Sequence, residues 1–199
     1  MKTMVAILML AFSMPCWAGP QDKKAMPVDL IPKAEIPKDG TWRVVAKTLC
    51  VDAVFPVREI LTFSQEIPEE YDLTVIIERM DDTKKDFAVG LPFGEYSCAY
   101  HFDTWDATKN SVALLAGQEG ESTPGPTFRK GKSRTAKFSV RKDGLTVELD
   151  GRKFWKGKIA WAKATTVSAI SVEKSKLFLV ASGGQWKVSG FVLAPAPHQ

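Results

Sequence analysis

Two Asp-Gly pairs seven residues apart, Asp143-Gly144 and Asp150-Gly151, sit inside a run that alternates apolar and polar side chains. An Asp-Gly pair between alternating runs marks a two-residue β-hairpin turn, because its residues tolerate the positive φ such turns require. Residues 135–155 therefore read as a three-stranded antiparallel meander whose register follows by counting outward from each turn. Counting places Val140, Val147 and Phe154 on one face, with Phe138 opposite Leu149. The other face carries the rows Arg141–Thr146–Trp155 and Ser139–Glu148–Lys153, with Lys137 opposite Asp150. The first face is core. The second is polar, with one tryptophan in it.

The rest of the chain keeps this character. Short alternating or β-branched runs at 42–47, 59–63, 73–80, 87–91, 96–103, 111–115, 167–172, 176–180 and 185–193 are split by Gly, Pro and Asp, which is how strands and turns are punctuated. No stretch sustains a 3.6-residue period, and 159–165 holds a helical turn at most. So many short strands in one chain of 199 residues imply an all-β domain, either a two-sheet sandwich or a barrel. At 45% hydrophobic and 25% charged residues the chain is globular. Its 2 His exclude a His-rich zinc site, and a Ser-His-Asp triad would have to use His101, since His198 is penultimate. Nothing in it resembles a recognition helix, so nucleic acid is not an expected partner.

Residues 1–18 read as a secretory signal: Lys2, an apolar run from Met4 to Met14, then Ala18 at the cleavage position. The apolar run is too short to span a bilayer. The mature chain is expected to be secreted or periplasmic, with no membrane span. Export leaves Cys50 and Cys98, which most simply form one disulfide; two buried free thiols are the competing reading. Residues 19–40 carry Pro20, Pro27, Pro32 and Pro37 among charges and read as an extended linker or an edge-hugging arm. The folded domain is expected over 41–194, followed by a tail at 195–199. Charge is uneven: residues 129–163 hold 12 Lys and Arg against 3 Asp and Glu, while 19–128 hold 11 against 19. Such a split permits a polyanion-binding face, or hairpin faces that meet acidic partners within the same domain.

Several segments together resemble a known group. Ile67-Pro-Glu-Glu-Tyr-Asp-Leu-Thr-Val-Ile-Ile-Glu-Arg79, Phe87-Ala-Val-Gly-Leu-Pro-Phe-Gly94, the meander from Phe138 to Gly151 with Trp155-Lys-Gly157, and the run 177–194 are similar to the concanavalin A-like (laminin-G-like) sandwich domains of exported bacterial proteins. The resemblance implies a jelly-roll of two antiparallel sheets. Its relatives include glycan-binding modules, adhesive domains, a keto-disaccharide hydrolase group and laminarinase-like glycosidases. The last carry alternating acidic residues on one strand, at the separation a retaining mechanism needs. Here Glu148-Leu-Asp150 and Glu70-Tyr-Asp72 lack the third carboxylate, and the meander register faces Glu148 to Lys153 and Asp150 to Lys137. No catalytic residue is assigned.

The densest polar-aromatic cluster is His101-Phe-Asp103-Thr-Trp105-Asp106. On that strand Tyr96, Cys98, Tyr100 and Phe102 share one face, while Ser97, Ala99, His101 and Asp103 share the other. With Ala88 and Gly90 on the preceding strand, the second face leaves room for something to lie across it, either a sugar or a segment of the chain itself. Asp103, Asp106 and Asn110 supply oxygens that suit calcium, although their spacing matches no loop motif and fits an Asx-capped turn. Trp155, beside Arg141 and Lys153, either stacks on a sugar ring while the cations hold an acidic group, or is buried under 159–165. The leading expectation is a non-catalytic glycan-binding module using Tyr96, His101, Asp103, Trp105, Arg141, Lys153 and Trp155. A glycoside hydrolase and an adhesive domain with a protein partner are the alternatives.

Overall fold

The computed structural model describes residues 26–113, 122–164, 172–173 and 175–197. The signal segment 1–18, residues 114–115, the strand expected at 167–172 up to residue 171, and His198 lie outside the described residues. In chain order the strands are β1 (Val28–Asp29), β2 (Ala34–Glu35), β3 (Arg43–Val45), β4 (Thr48–Ala53), β5 (Glu59–Phe63), β6 (Tyr71–Arg79), β7 (Phe87–Phe93), β8 (Tyr96–Asp103), β9 (Lys109–Ala113), β10 (Thr123–Pro124), β11 (Arg134–Arg141), β12 (Gly144–Leu149), β13 (Arg152–Lys158), β14 (Phe178–Ala181) and β15 (Gly184–Pro195). They form two antiparallel sheets. The first runs β13-β12-β11-β6-β15-β4-β3, with β1 added beside β15; the second runs β10-β9-β8-β7-β14-β5-β2. Inserting β6 between β11 and β15, and β14 between β7 and β5, gives the long crossings of a jelly-roll sandwich.

Side-chain alternation decides which face of each strand is core. On β6, Tyr71, Leu73, Val75, Ile77 and Arg79 are buried while the residues between them are not. A bulge between Val188 and Gly190 resets the alternation on β15, so that Trp186 and Val188, then Phe191 and Leu193, all point inward. Phe87, Val89 and Leu91 of β7 and Cys98, Tyr100 and Phe102 of β8 supply the facing layer. Each such side chain contributes about 1.5–3 kcal/mol by leaving water. The small residues on the reverse of the second sheet have a definite purpose. A methyl at Gly90 would lie 2.1 Å from the Phe178 ring, so that ring fills the space over Ala88, Gly90 and Ala99, helped by Ile60 and Val172. Over this stretch the occupant is the chain itself.

Three sequence expectations change in the structure. The meander forms, but its first turn falls on Lys142-Asp143, pairing Phe138 with Val147, Val140 with Leu145 and Ala136 with Leu149. Gly144 is already in β12, where a side chain would strike the Gly157 carbonyl at 2.2 Å. The shift is two residues, so the core face keeps its members. The second turn is as counted, but a bulge between Val147 and Glu148 then pairs Val147 with Trp155 in place of Phe154. That bulge rotates Trp155 to the core side, where it is 7% exposed and meets Tyr100 at a ring separation of 6.0 Å.

The second change concerns the cysteines, which are free. Leu49, Val51 and Ala53 of β4 face the core, so Cys50 between them faces outward, whereas Cys98 shares the inward face of β8. The two thiols therefore lie on opposite sides of the first sheet. The third is where folded structure starts, since the N-terminal arm takes the edge-hugging form of its two readings. Its described part pairs with β15 through β1 and with β5 through β2, and it buries Leu30 and Ile31 in the core. Folded structure thus begins before residue 41, because the arm crosses from one sheet to the other.

Candidate functional site

The site is built around the end of β8. Beyond His101 the chain turns through Thr104–Ala107 into β9, and Asp103, Trp105, Asp106 and Ala107 all adopt left-handed φ values of 51–63°. Such backbone costs a non-glycine residue of order 1–3 kcal/mol, and it persists only where surrounding structure determines it. Here a buried polar network does so. The Asp103 carboxylate accepts from the Arg79 guanidinium at 2.9 Å, from the Phe128 amide at 3.0 Å and from the Thr127 amide. The Asp103 amide donates to the Asn110 side-chain oxygen at 3.0 Å, and the Asn110 amide group donates to the Pro124 carbonyl at 3.0 Å. Arg79 itself comes from the core face of β6, lies under the Trp186 ring at 4.6 Å and donates to the Lys85 carbonyl. Burial lowers its pKa, and the charges of Asp103 and Asp81 oppose that fall.

This turn lifts Trp105 out of the protein, where it is 69% exposed, with Lys109 Nζ 5.0 Å from its ring centre. Beside it opens a cleft of about 510 Å³ lined by Phe55, Arg58, Lys84, Lys85, Asp86 and His101 among others. Phe55, on the loop after β4, also lines the cleft and is exposed, with Lys85 Nζ 4.3 Å above its ring. Lys85 also pairs with Asp106 at 3.1 Å. His101 sits low in the cleft with Nδ1 3.2 Å from the Asp86 carboxylate. Burial pushes Asp86 upward, but its bond to His101 and that ring's charge outweigh this and leave it below the usual carboxylate range. His101 Nε2 is buried and has no hydrogen-bond partner among the described residues. Arg58 and Lys84 have no carboxylate partner among the described residues. Two exposed aromatic rings, a histidine and cations around one cleft can stack on a ring and hold polar substituents at its edge.

The seven residues singled out from sequence do not share one surface. His101 and Trp105 converge on the cleft. Asp103 borders it, but its carboxylate is fully occupied by the network that holds the turn. Tyr96 lies at the opposite end of β8, packed on the core. Arg141 and Lys153 are on the outer face of the first sheet, and Trp155 is inside it. Arg141 and Lys137 both grip Asp72, at 2.7 and 2.8 Å, and Arg134 grips Asp150 at 2.8 Å. Two acidic residues of the same domain thus pair with three of the meander's cations. Phe55, Arg58, Lys84 and Asp86 reach the cleft from loops distant in sequence, and no local pattern marks them. Among the described residues no group of His, Cys, Asp and Glu is arranged to hold a metal; Asn110, whose oxygen suits calcium or an Asx-capped turn, accepts the Asp103 amide inside the network.

The architecture is that of the concanavalin A-like lectin/glucanase jelly-rolls, a class with many unrelated activities. No protein-family model matches the chain, and no curated protein sequence does. Solved structures do match. The carbohydrate binding module CBM66 from Bacillus subtilis superposes with a TM-score of 0.59 at 11% identity, over 78% of this chain and 92% of that one. The exoplasmic/lumenal domain of VIP36, solved bound to Ca2+ and Man3GlcNAc, gives 0.60 at 9% identity, over 87% and 89%. A glycosidic hydrolase gives 0.59 at 10% identity, over 87% and 97%. These likenesses establish the fold.

Proposed function

We propose that this chain is an exported, non-catalytic glycan-binding module whose site is the cleft between Trp105 and Phe55, with a preference for acidic glycans. The observation that carries the reading is Trp105, held out at 69% exposure by a left-handed turn that a buried network maintains. A large apolar ring kept exposed on strained, braced backbone is a preorganised platform, and a pyranose face fits it. Arg58 and Lys84, which line the cleft, favour carboxylate or sulfate substituents. The carbohydrate-binding module and the glycan-bound lumenal domain among the structural neighbours support the same direction. The signal-like residues 1–18 support export.

Hydrolysis is the second reading, since a glycosidic hydrolase shares the fold. It needs two carboxylates available to a substrate. Each of the three that line the cleft already has a basic partner: Asp86 has His101, Asp103 has Arg79 and Asp106 has Lys85. This favours binding without cleavage. The test is an array of neutral, uronic and sulfated polysaccharides, probed with residues 19–199 at two salt concentrations, with and without chelator. Binding that weakens with salt and falls roughly tenfold or more in Trp105→Ala is expected. A folded protein that binds none of them overturns the proposal and favours a protein partner; release of reducing sugar overturns the non-catalytic part.

A further inference from the structure

A second cleft of about 620 Å³ lies on the other side of the Trp105–Asp106 turn, and the two share Lys84 and Asp106 in their walls. Gly125 allows the chain to press against the turn there: a side chain at that position would meet the Ala107 carbonyl at 2.5 Å. The carboxylates of this cleft are engaged. Asp82 pairs with Lys130 at 2.9 Å, Asp106 with Lys85 at 3.1 Å, and Asp81 caps the Thr83 and Gln185 amides. Lys84 and Arg129 are left without a carboxylate partner among the described residues, one on the crest between the clefts and one beyond it. Each cleft alone is the size of a small-molecule site. The turn between them carries Asp106, which lines both clefts, is 75% exposed at its side chain and pairs with Lys85.

Resting on the glycan-binding reading, we infer that the two clefts form one continuous groove that takes an internal stretch of an acidic polysaccharide. One sugar stacks on Trp105, the chain crosses the Lys85–Asp106 pair beneath Lys84, and a later acidic unit meets Arg129. A site for chain ends would close around a terminal sugar. This one continues past the platform.

The inference is tested by calorimetric titration with size-graded oligogalacturonides and heparin-derived oligosaccharides of two to eight units. Affinity is expected to rise with length, and Arg129→Ala is expected to cancel roughly fivefold of that gain, the effect of one partly solvated charge contact. Equal affinity at every length, or an equal loss from Arg129→Ala at every length, overturns the groove while leaving a Trp105-dependent site intact. No binding at any length, or binding indifferent to Trp105→Ala, overturns the glycan reading itself. Arg129 is exposed, and urea unfolding of the variant confirms that any loss is not one of folding.

Discussion

Breaking the Arg79–Asp103 pair tests the account of how the turn is held. Both side chains are buried, with exposures of 5% and 0%, and the carboxylate also serves two backbone amides. In Asp103→Ala the guanidinium stays buried without its counter-charge and the Thr127 and Phe128 amides lose their acceptor. Removing one member of a buried pair costs about 3–5 kcal/mol, and an orphaned buried donor about 1–3, so a loss of about 4–5 kcal/mol is expected. Arg79→Met should cost less, about 3 kcal/mol, because Asp103 keeps its two amide bonds. Once either charge is gone, the second change removes only an isolated charge and costs much less than it does alone. The double variant should therefore lose about 4–5 kcal/mol, well short of the roughly 7–8 obtained by adding the single losses. Urea unfolding followed by tryptophan emission reads this directly, since Trp186 stacks on the guanidinium. Single losses that add to within about 0.5 kcal/mol would refute a coupled pair.

Other outcomes follow from the packing and the charges. Cys50 should react with a thiol reagent in the native protein while Cys98, whose burial pushes its pKa up to about 12, reacts only on unfolding, and reductant should leave Tm unchanged. Gly90→Ala drives a methyl to 2.1 Å from the Phe178 ring and should destabilise by about 1–3 kcal/mol in urea. Acid should destabilise through depressed carboxylates. The bonds from Ser64, Thr62 and Lys176 hold Glu35 at about 2 against an ordinary 4.5, and Asp72, raised by burial, is brought below its usual range by Lys137 and Arg141. The unfolded chain then binds more protons, so this stability is complete above about pH 4.5 and lost as pH falls towards 2. Glu35→Gln should flatten the fall of Tm over that window; an unchanged slope would exclude Glu35 as a contributor.

What could be read from the sequence was mostly parity. Alternation on β8 separates the face of Cys98, Tyr100 and Phe102 from the face of small residues correctly, because a buried face forces a period of two. The meander kept its faces even though its first turn moved, since a two-residue shift preserves parity. A bulge does not, and nothing in the run 147–155 announces one, so Trp155 was placed among the cations and is found in the core. β4 was missed because Cys50 and Asp52 interrupt its apolar run, and with it went the evidence that Cys50 faces away from Cys98. At the site, His101 and Trp105 were visible because they sit in one short polar-aromatic cluster. Phe55 and Arg58 arrive on the loop before β5 and Lys84 on the loop before β7, and their meeting with β8 is a product of topology alone. Asp103 had the right position and a different duty. A carboxylate near a cleft is indistinguishable in sequence from one that braces it, until Arg79 is seen to turn inward.

β6 also sets the distance between the site and the places where the chain leaves the domain. Arg79 is at the cleft end, while Tyr71, at the other end, pairs with Pro195, and Val28 pairs with the nearby Leu193. Nine residues at about 3.3 Å each separate these ends by roughly 26 Å. Residues attached ahead of Val28 or beyond Pro195 therefore emerge at the pole remote from Trp105. The domain can be anchored by either end, to a surface or to another protein, with its groove facing outward.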